Sequence, residues 1–470
     1  MSIPDRVGAP LMTRLLSGWD SCDGPLHRCL ANAVRRVIVS GALPQGAILP
    51  SQRALAQALA VSRTTVAVAY DELCTEGWLA TRQGGTTWVR QPIPARQIAW
   101  QGDRLGSYAA DRNPLDLTSG ALAASPVLQR VLSGPWIDDL RSLLEIDGFL
   151  PAGLEMLRKA VTDYFDDVDL ATPSAQLMIT DGAHHGLALV SECLVSAGDT
   201  VLVENPTYRG ALDVFTRLGA QVVGIRTDHE GIDPSDLATA IHRHRPRLLY
   251  VMPAAHNATG VTWTQDRRRE VASIATRASL LVVEDASTAD LQLGRPAGPM
   301  SLLLSDERSV LIGSVTKLFW AGLRVGWLRG PERIVDAVLR ARMTTNIAGS
   351  LPSQVLAARC LEHRHEARAI RRAELRQAQA ETVDLLAHHL PAWRPHPADG
   401  SSLWVDTGED ATNLSARLRR RGVILNPGPT FSPSEEFASY VRLPLGHRAH
   451  LTTALPLIAE AVSTPEAGHS

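Results

Sequence analysis

The 470-residue chain all but lacks lysine. Lys159 and Lys317 are the only two, and arginine supplies the rest of the 47 basic residues. Aromatic residues are scarce at 5%. The five cysteines, Cys22, Cys29, Cys74, Cys193 and Cys360, are odd in number and contain no Cys-x-x-Cys pair. That spacing suggests neither a zinc site nor a disulfide framework, and scattered free thiols fit a reducing compartment. No run approaches the ~18 consecutive apolar residues of a membrane span. The opening MSIPDRVGAP has no basic patch followed by an apolar stretch, so the expectation is a cytoplasmic protein without a signal peptide. Neither sign of charge dominates, the net being −2. The whole-chain balance therefore gives no sign of a nucleic-acid partner, but an average can hide a basic module. Residues 1–90 hold nine arginines against six acidic residues.

The apolar content of 45% and charged content of 20% are ordinary for a globular protein, and the length suggests about three domains. In PLHRCLANAVRRVIVSGAL, Leu26, Leu30, Val34 and Ile38 fall at helical spacing, with Gly41 as a stop. LPSQRALAQALAVSRTTVAVAYDELCTEGW predicts two short helices around a tight turn. Ser51 caps the first, with Leu55, Ala56 and Leu59 facing inward. Ser62 caps the second, with Val66, Ala69, Tyr70 and Leu73 on its apolar side. LATRQGGTTWV predicts two strands around Gly84-Gly85. Residues 25–90 thus form one module, preceded by an N-terminal extension over 1–24. Residues 91–114 have no period and read as a linker.

Beyond it, in a unit spanning 115–470, the pattern changes. MIT (178–180), TVLVE (200–204), QVVGI (221–225), RLLYVM (247–252), SLLVVED (279–285) and SVLIGS (309–314) are short, apolar and β-branched, with helical segments between most of them. This predicts an α/β fold, a mostly parallel sheet with helices on both faces, over about 150–330. From 331 to about 460 the chain reads as long helices and then a smaller α+β subdomain with strands SSLWVDT, RGVILN and SYVRLPL.

The helix pair at 51–76 has the layout that DNA recognition needs: one helix braces on the backbone while the start of the other enters the major groove. Ser62, Arg63, Thr64 and Thr65 put a guanidinium and three hydroxyls at that start. Arg53 can reach a phosphate, and the tip at Gln83-Gly84 allows close approach to the duplex. A helical docking module with solvated ends is the other reading of the pattern taken alone.

Lys317 follows a strand in GSVTK, ahead of the Gly-rich GLRVGW. A desolvated lysine has a lowered pKa and becomes a Schiff-base nucleophile. A pyridoxal phosphate (PLP) site also needs an acid opposite the pyridine nitrogen, donors for the phosphate and usually an aromatic lid. Candidates occur in order. The amides of Gly182, Ala183 and His184 open a helix in TDGAHHG and can cradle a phosphate. Tyr208 can stack on the ring, Asn257 can bond its hydroxyl, and Asp285 ends a strand where ligands bind in such sheets. Ser314, Thr316 and Arg324 bracket Lys317 as further phosphate ligands. His184 and His185 have no third partner at metal-ligand spacing, so no metal is expected.

Two resemblances emerge. The block from Gly41 to Val89 resembles the winged-helix domain of GntR-type regulators, through GALPQGAILPS, SRTTV, EG and the Gly-rich wing. That resemblance implies DNA contacts by Arg53, Arg63, Thr64, Thr65 and the Gln83-Gly84 wing. Residues from about 116 to 458 resemble the fold type I aminotransferases, through GSVTK…GLRVGW, NATG, VVED, PAGLEMLRKA and YVRLPL. Here the resemblance implies an internal aldimine at Lys317 and a carboxylate-binding role for Arg442. The two together are the arrangement of the MocR subfamily of bacterial regulators. It implies a homodimer that binds a double-stranded DNA operator and senses a small amino-containing effector, or PLP itself, without turnover. Three departures stand out. Ser287 replaces a tyrosine that bonds the cofactor hydroxyl, Ala258 replaces a proline, and Gly148, beside Phe149, replaces a tyrosine that reaches across the dimer. An active aminotransferase with an appended winged helix, and a regulator whose pocket holds no PLP, remain as alternatives.

Overall fold

The computed structural model describes residues 6–16, 19, 25–39, 42–44, 46–75, 77–81, 86–90, 115–294 and 296–463. The chain divides into two compact units, Met1–Gln101 and Gly102–Ser470. The linker expected over 91–114, and the wing residues Gln83 and Gly84, lie outside the described residues.

The first unit has four helices among its described residues: α1 (Ala9–Leu15), α2 (Leu26–Val39), α3 (Gln52–Leu59) and α4 (Arg63–Thr75). Strands β1 (Leu79–Thr81) and β2 (Thr87–Val89) pair antiparallel, Leu79 opposite Val89. Both expected caps form. Ser51 Oγ accepts from Ala54 N at 3.2 Å, and Ser62 Oγ accepts from Thr65 N at 3.0 Å. Between them Ala60 takes a left-handed φ of 54° and ends α3. The expected inward residues Leu55, Ala56, Val66, Ala69, Tyr70 and Leu73 are buried. The Tyr70 hydroxyl donates to Pro50 O at 3.2 Å, so burying the ring leaves no orphaned donor. Residues 6–16, read from sequence as part of an extension, contribute α1, and Val7, Met12 and Leu16 join the core of this unit. Leu26 departs from expectation: it starts α2 but is 48% exposed. Cys29 is disulfide-bonded, against the reading of scattered free thiols; Cys74, Cys193 and Cys360 are free.

In the second unit, β3 (Leu115–Asp116) precedes an eight-stranded sheet. Its strands are β4 (Leu177–Thr180), β5 (Thr200–Asn205), β6 (Gln221–Asp228), β7 (Gly231–Ile232), β8 (Leu248–Val251), β9 (Leu281–Asp285), β10 (Ser309–Ser314) and β11 (Gly326–Arg329). Their order is β4-β11-β10-β9-β8-β5-β6-β7. β10, β9, β8, β5 and β6 run parallel, while β11 is antiparallel to both neighbours. Side chains alternate across the sheet. Val310, Ile312 and Val283 pack with the helix Ala183–Leu194 on one face. Leu311 and Trp327 pack with Phe165 and Val355 on the other. Burial on both faces explains why the strands read as continuous apolar runs.

The C-terminal part holds a second sheet, β12 (Arg394–Pro395), β13 (Ser402–Asp406), β16 (Tyr440–Pro444) and β15 (Asn426–Pro427), in that order. β14 (Val423–Ile424) pairs with β3, so the start of this unit is tied to its end. The 26-residue helix Arg364–His389 leads into that part. Among the described residues no helix is long and apolar enough to cross a membrane.

Replacing Ser62 by Ala removes the α4 cap, which is worth about 1 kcal/mol. Hydrogen exchange at the first-turn amides of α4 is expected to quicken roughly fivefold, with that at Leu73 in the helix interior unchanged.

Candidate functional site

A cavity of about 330 Å³ opens at the carboxyl ends of the parallel strands. Its size is within the ~300–1,000 Å³ of ordinary small-molecule pockets. Residues far apart in sequence meet there because each strand of the parallel set delivers its last residue to the same edge. Asp285 ends β9, Ser314 ends β10, and Lys317 follows it; Met252 and Asn257 lie beyond β8, and Tyr208 beyond β5. Arg442 comes from β16 and completes the wall. Of the residues singled out around Lys317, all line this cavity except Gly182, whose neighbours Ala183 and His184 do.

The Lys317 side chain is half-buried at the cavity wall, and its amine donates to Gly120 O at 2.7 Å. Burial pushes its pKa down to about 8, and the Arg442 guanidinium pushes the same way; Asp285 opposes both. At neutral pH a far larger fraction is therefore unprotonated than for an ordinary lysine of pKa about 10.4. The peptide after it is held by another arginine. Arg371 is buried, and its guanidinium donates to Leu318 O at 3.0 Å and Phe319 O at 3.1 Å.

Gly120 was not singled out from sequence. A side chain there would bring Cβ within 2.4 Å of Arg442 Nη2 and 3.4 Å of Lys317 Nζ. Glycine is required for backbone, amine and guanidinium to converge. Ser119, Ala121, Arg209, Met252 and Ala321 also line the cavity and were likewise missed. Arg209 is 3% exposed and donates to Asn426 Oδ1 at 2.9 Å. Its position next to Tyr208 was the only available signal.

Asp285 is fixed from two sides. Tyr250 Oη donates to Oδ2 at 2.9 Å and Ser287 N donates to Oδ1 at 3.0 Å. Tyr250, in the interior of β8, was also missed. A tyrosine in a buried strand needs a hydroxyl partner, which is the signal that could have found it. Ser287 lines the cavity through a far shorter side chain than the tyrosine it replaces. Asn257 Oδ1 is buried at the wall without a hydrogen-bond partner.

At the other end, Gly182 precedes the helix Ala183–Leu194 with a φ of 94°, a conformation that favours glycine. Arg324, itself left-handed at φ 51°, lies across it and donates to Asp181 O at 2.9 Å. A Cβ on Gly182 would sit 3.5 Å from the Arg324 Cζ. Ser314 Oγ donates to Val325 O at 2.9 Å and lies 2.7 Å from Thr316 Oγ1. Helix amides, two hydroxyls and a guanidinium thus gather at one end, as an anion site requires. The two histidines part company. His184 lines the cavity edge-on to Tyr208, and burial lowers its pKa, whereas His185 Nδ1 accepts from Asp181 N at 3.1 Å.

In the first unit, Arg53 is exposed in the first turn of α3, and Ser62, Arg63 and Thr64 are exposed at the start of α4. Thr65 is half-buried, and its hydroxyl lies 2.8 Å from that of Ser62. Two of the three hydroxyls expected at the start of α4 therefore bond each other.

Residues 145–455 match the family described as aminotransferase class I and II, and residues 27–89 match bacterial regulatory proteins of the gntR family. The chain is 27% identical to the HTH-type transcriptional regulator YisV of Bacillus subtilis, over 95% of this chain and 98% of that one. It is 26% identical to the "Probable rhizopine catabolism regulatory protein MocR" of Rhizobium meliloti, over 85% of this chain and 83% of that one. Among solved structures, the α-aminoadipate aminotransferase LysN of Thermus thermophilus matches with a TM-score of 0.69 and 22% identity, over 77% of this chain and 97% of that one. That similarity shows the fold.

With only two lysines the chain offers a clean titration. Trapping of a small aldehyde by cyanoborohydride, read by peptide mass spectrometry, is expected to be half-maximal at Lys317 near pH 8, since the neutral amine is the nucleophile and its fraction rises with pH. Lys159, 73% exposed and paired with Asp163, is the internal reference.

Proposed function

Since the chain belongs to the aminotransferase class I and II family and carries a gntR-family head at residues 27–89, we propose that it is a cytoplasmic, homodimeric, MocR-type transcriptional regulator that uses its large unit to sense a primary amine. The observation that carries this reading is the desolvated Lys317 amine, facing Asp285 and Arg442 across one cavity.

The residues present fit pyridoxal phosphate. The amide-and-hydroxyl cup at Gly182, Ala183, His184, Ser314, Thr316 and Arg324 suits its phosphate. The buried Asp285 carboxyl suits its pyridine nitrogen, and the unpartnered Asn257 Oδ1 provides a polar group for the ring hydroxyl. Tyr208 supplies the ring face. When bound, the cofactor would supply an aldehyde that combines reversibly with primary amines.

Lys317 then contributes a resident amine that an incoming amine must displace. Arg442, 2% exposed, holds a carboxylate on the effector if there is one. Binding shifts a conformational equilibrium only through contacts that differ between the two states. Lys317 changes its bonding when displaced, so its hydrogen bond to Gly120 O is one such contact. Ser287 favours sensing over turnover, because a serine cannot reach where a tyrosine hydroxyl would steady the ring oxygen. The head would bind duplex DNA through Arg53, Ser62, Arg63, Thr64 and Thr65, with the Gln83-Gly84 wing alongside.

Titration with pyridoxal phosphate is expected to raise a near-visible absorbance band that borohydride fixes to Lys317 and that Lys317→Ala lacks. A wild-type protein without that band would overturn the reading. In the loaded protein, Arg442→Gln is expected to weaken amino-acid effectors at least about tenfold, leaving the band itself intact. Rapid transamination of an amino donor with a keto acid would favour the enzyme alternative instead.

A further inference from the structure

A second cavity, of about 220 Å³, lies on the opposite face of the sheet. Strand alternation divides β9 and β10 between the two cavities. Glu284 and Gly313 line this one, while Asp285 and Ser314 line the one around Lys317. The division continues past β9, with Ala286 on this side and Ser287 on the other.

Three rings form the wall. Tyr164 and Phe165 meet Trp327 edge-on, at centroid distances of 5.3 and 6.4 Å. Trp327 is 1% exposed, and its Nε1 has no hydrogen-bond partner. The indole lies on Gly313, where a Cβ would come within 2.3 Å of Nε1. Both residues line the cavity, with the N–H itself sealed against Gly313.

Most charges around this cavity are already engaged. The Arg268 guanidinium donates to Gly298 O at 2.7 Å and Pro253 O at 2.6 Å. Glu284 accepts from Met300 N at 2.8 Å. Asp290 is paired with Arg368 at 2.7 Å, and Asp167 with Arg364 at 2.6 Å. Arg372 differs. Its Nε donates to Gln292 O at 3.3 Å, and its two terminal nitrogens have no hydrogen-bond or acidic partner among the described residues.

We propose that this cavity is a second ligand site, which takes a small aromatic carboxylate with its ring among Tyr164, Phe165 and Trp327 and its acid group on Arg372. A cavity of about 150 Å³ suffices for benzene, so this one has room for one ring and a short acid tail. Guanidinium–carboxylate pairing supplies orientation. No amino group is called for, because every carboxylate at the site already has its own partner. The assignment does not rest on the cofactor reading of the Lys317 cavity. A ligand here would press on Glu284, Ala286 and Gly313, the chain neighbours of Asp285, Ser287 and Ser314, and so couple the two cavities.

The test is calorimetric titration of the full chain with phenylacetate and 3-phenylpropionate. Neither carries an amine, so neither can compete with Lys317. Both acids are expected to bind, with methyl phenylacetate roughly tenfold weaker for want of the charge. Arg372→Gln should weaken the acids by a similar factor without changing the ester. Trp327→Phe shrinks one ring of the wall, and a several-fold weakening is expected of it. Should that variant fail to fold, Arg372→Gln and the ester comparison decide the matter. Arg442→Gln should leave binding unchanged. Loss of binding in Arg442→Gln with retention in Arg372→Gln would place the acids beside Lys317 and overturn the proposal. So would the absence of binding by both acids at millimolar concentration.

Discussion

One ammonium group holds its place only at a cost to its charge, and the large unit is arranged around that conflict. Lys317 is partly withdrawn from water, and the guanidinium of Arg442 faces it. Each disfavours the proton, and the Asp285 carboxylate restores only part of the loss. The parts that create this environment come from far apart. Asp285 belongs to the large sheet, Arg442 to the small one, and Gly120 lies just beyond β3, which pairs with β14. The amine's reactivity is thus a property of the assembled unit. A fragment holding only residues around 300–330 would have an ordinary lysine.

Arginine supplies the scaffold. A guanidinium can donate in several directions within one plane, which an ammonium cannot match. Arg371 holds the peptide after Lys317, Arg268 gathers the carbonyls of Pro253 and Gly298, and Arg342 reaches Ile179 O and Asn346 O. All three are buried. In a chain with two lysines, the structural cations and the reactive amine are different kinds of residue.

Much of this was legible in the residues. The β-branched runs gave strands β4, β5, β6, β8, β9 and β10, and the serines at 51 and 62 gave the caps, because each signal is local. β11 was not recovered. Its GWLR lies between glycines, and it is held by antiparallel neighbours on both sides rather than by its own propensity. The strand-end candidates around Lys317 converge because parallel strands share an edge. Gly120 escaped notice because its contribution is a missing atom beside residues distant in sequence. Tyr250 escaped because, read alone, it looks like core. The disulfide at Cys29 ran against a spacing argument that weighs Cys-x-x-Cys pairs, and α1 lies in residues read only as an N-terminal extension.

The division of β9 and β10 between two cavities makes this part of the chain intolerant of any change in length. Inserting or deleting a single residue in a strand inverts every side chain that follows, relative to the pleat. Here that slip would turn Asp285 to the far side and present Glu284 or Ala286 to the Lys317 cavity, and Trp327 would lose the glycine it lies on. Both cavities would fail together. Variation in this region is therefore confined to exchanging one side chain for another, and drift in length is left to the loops that join the strands.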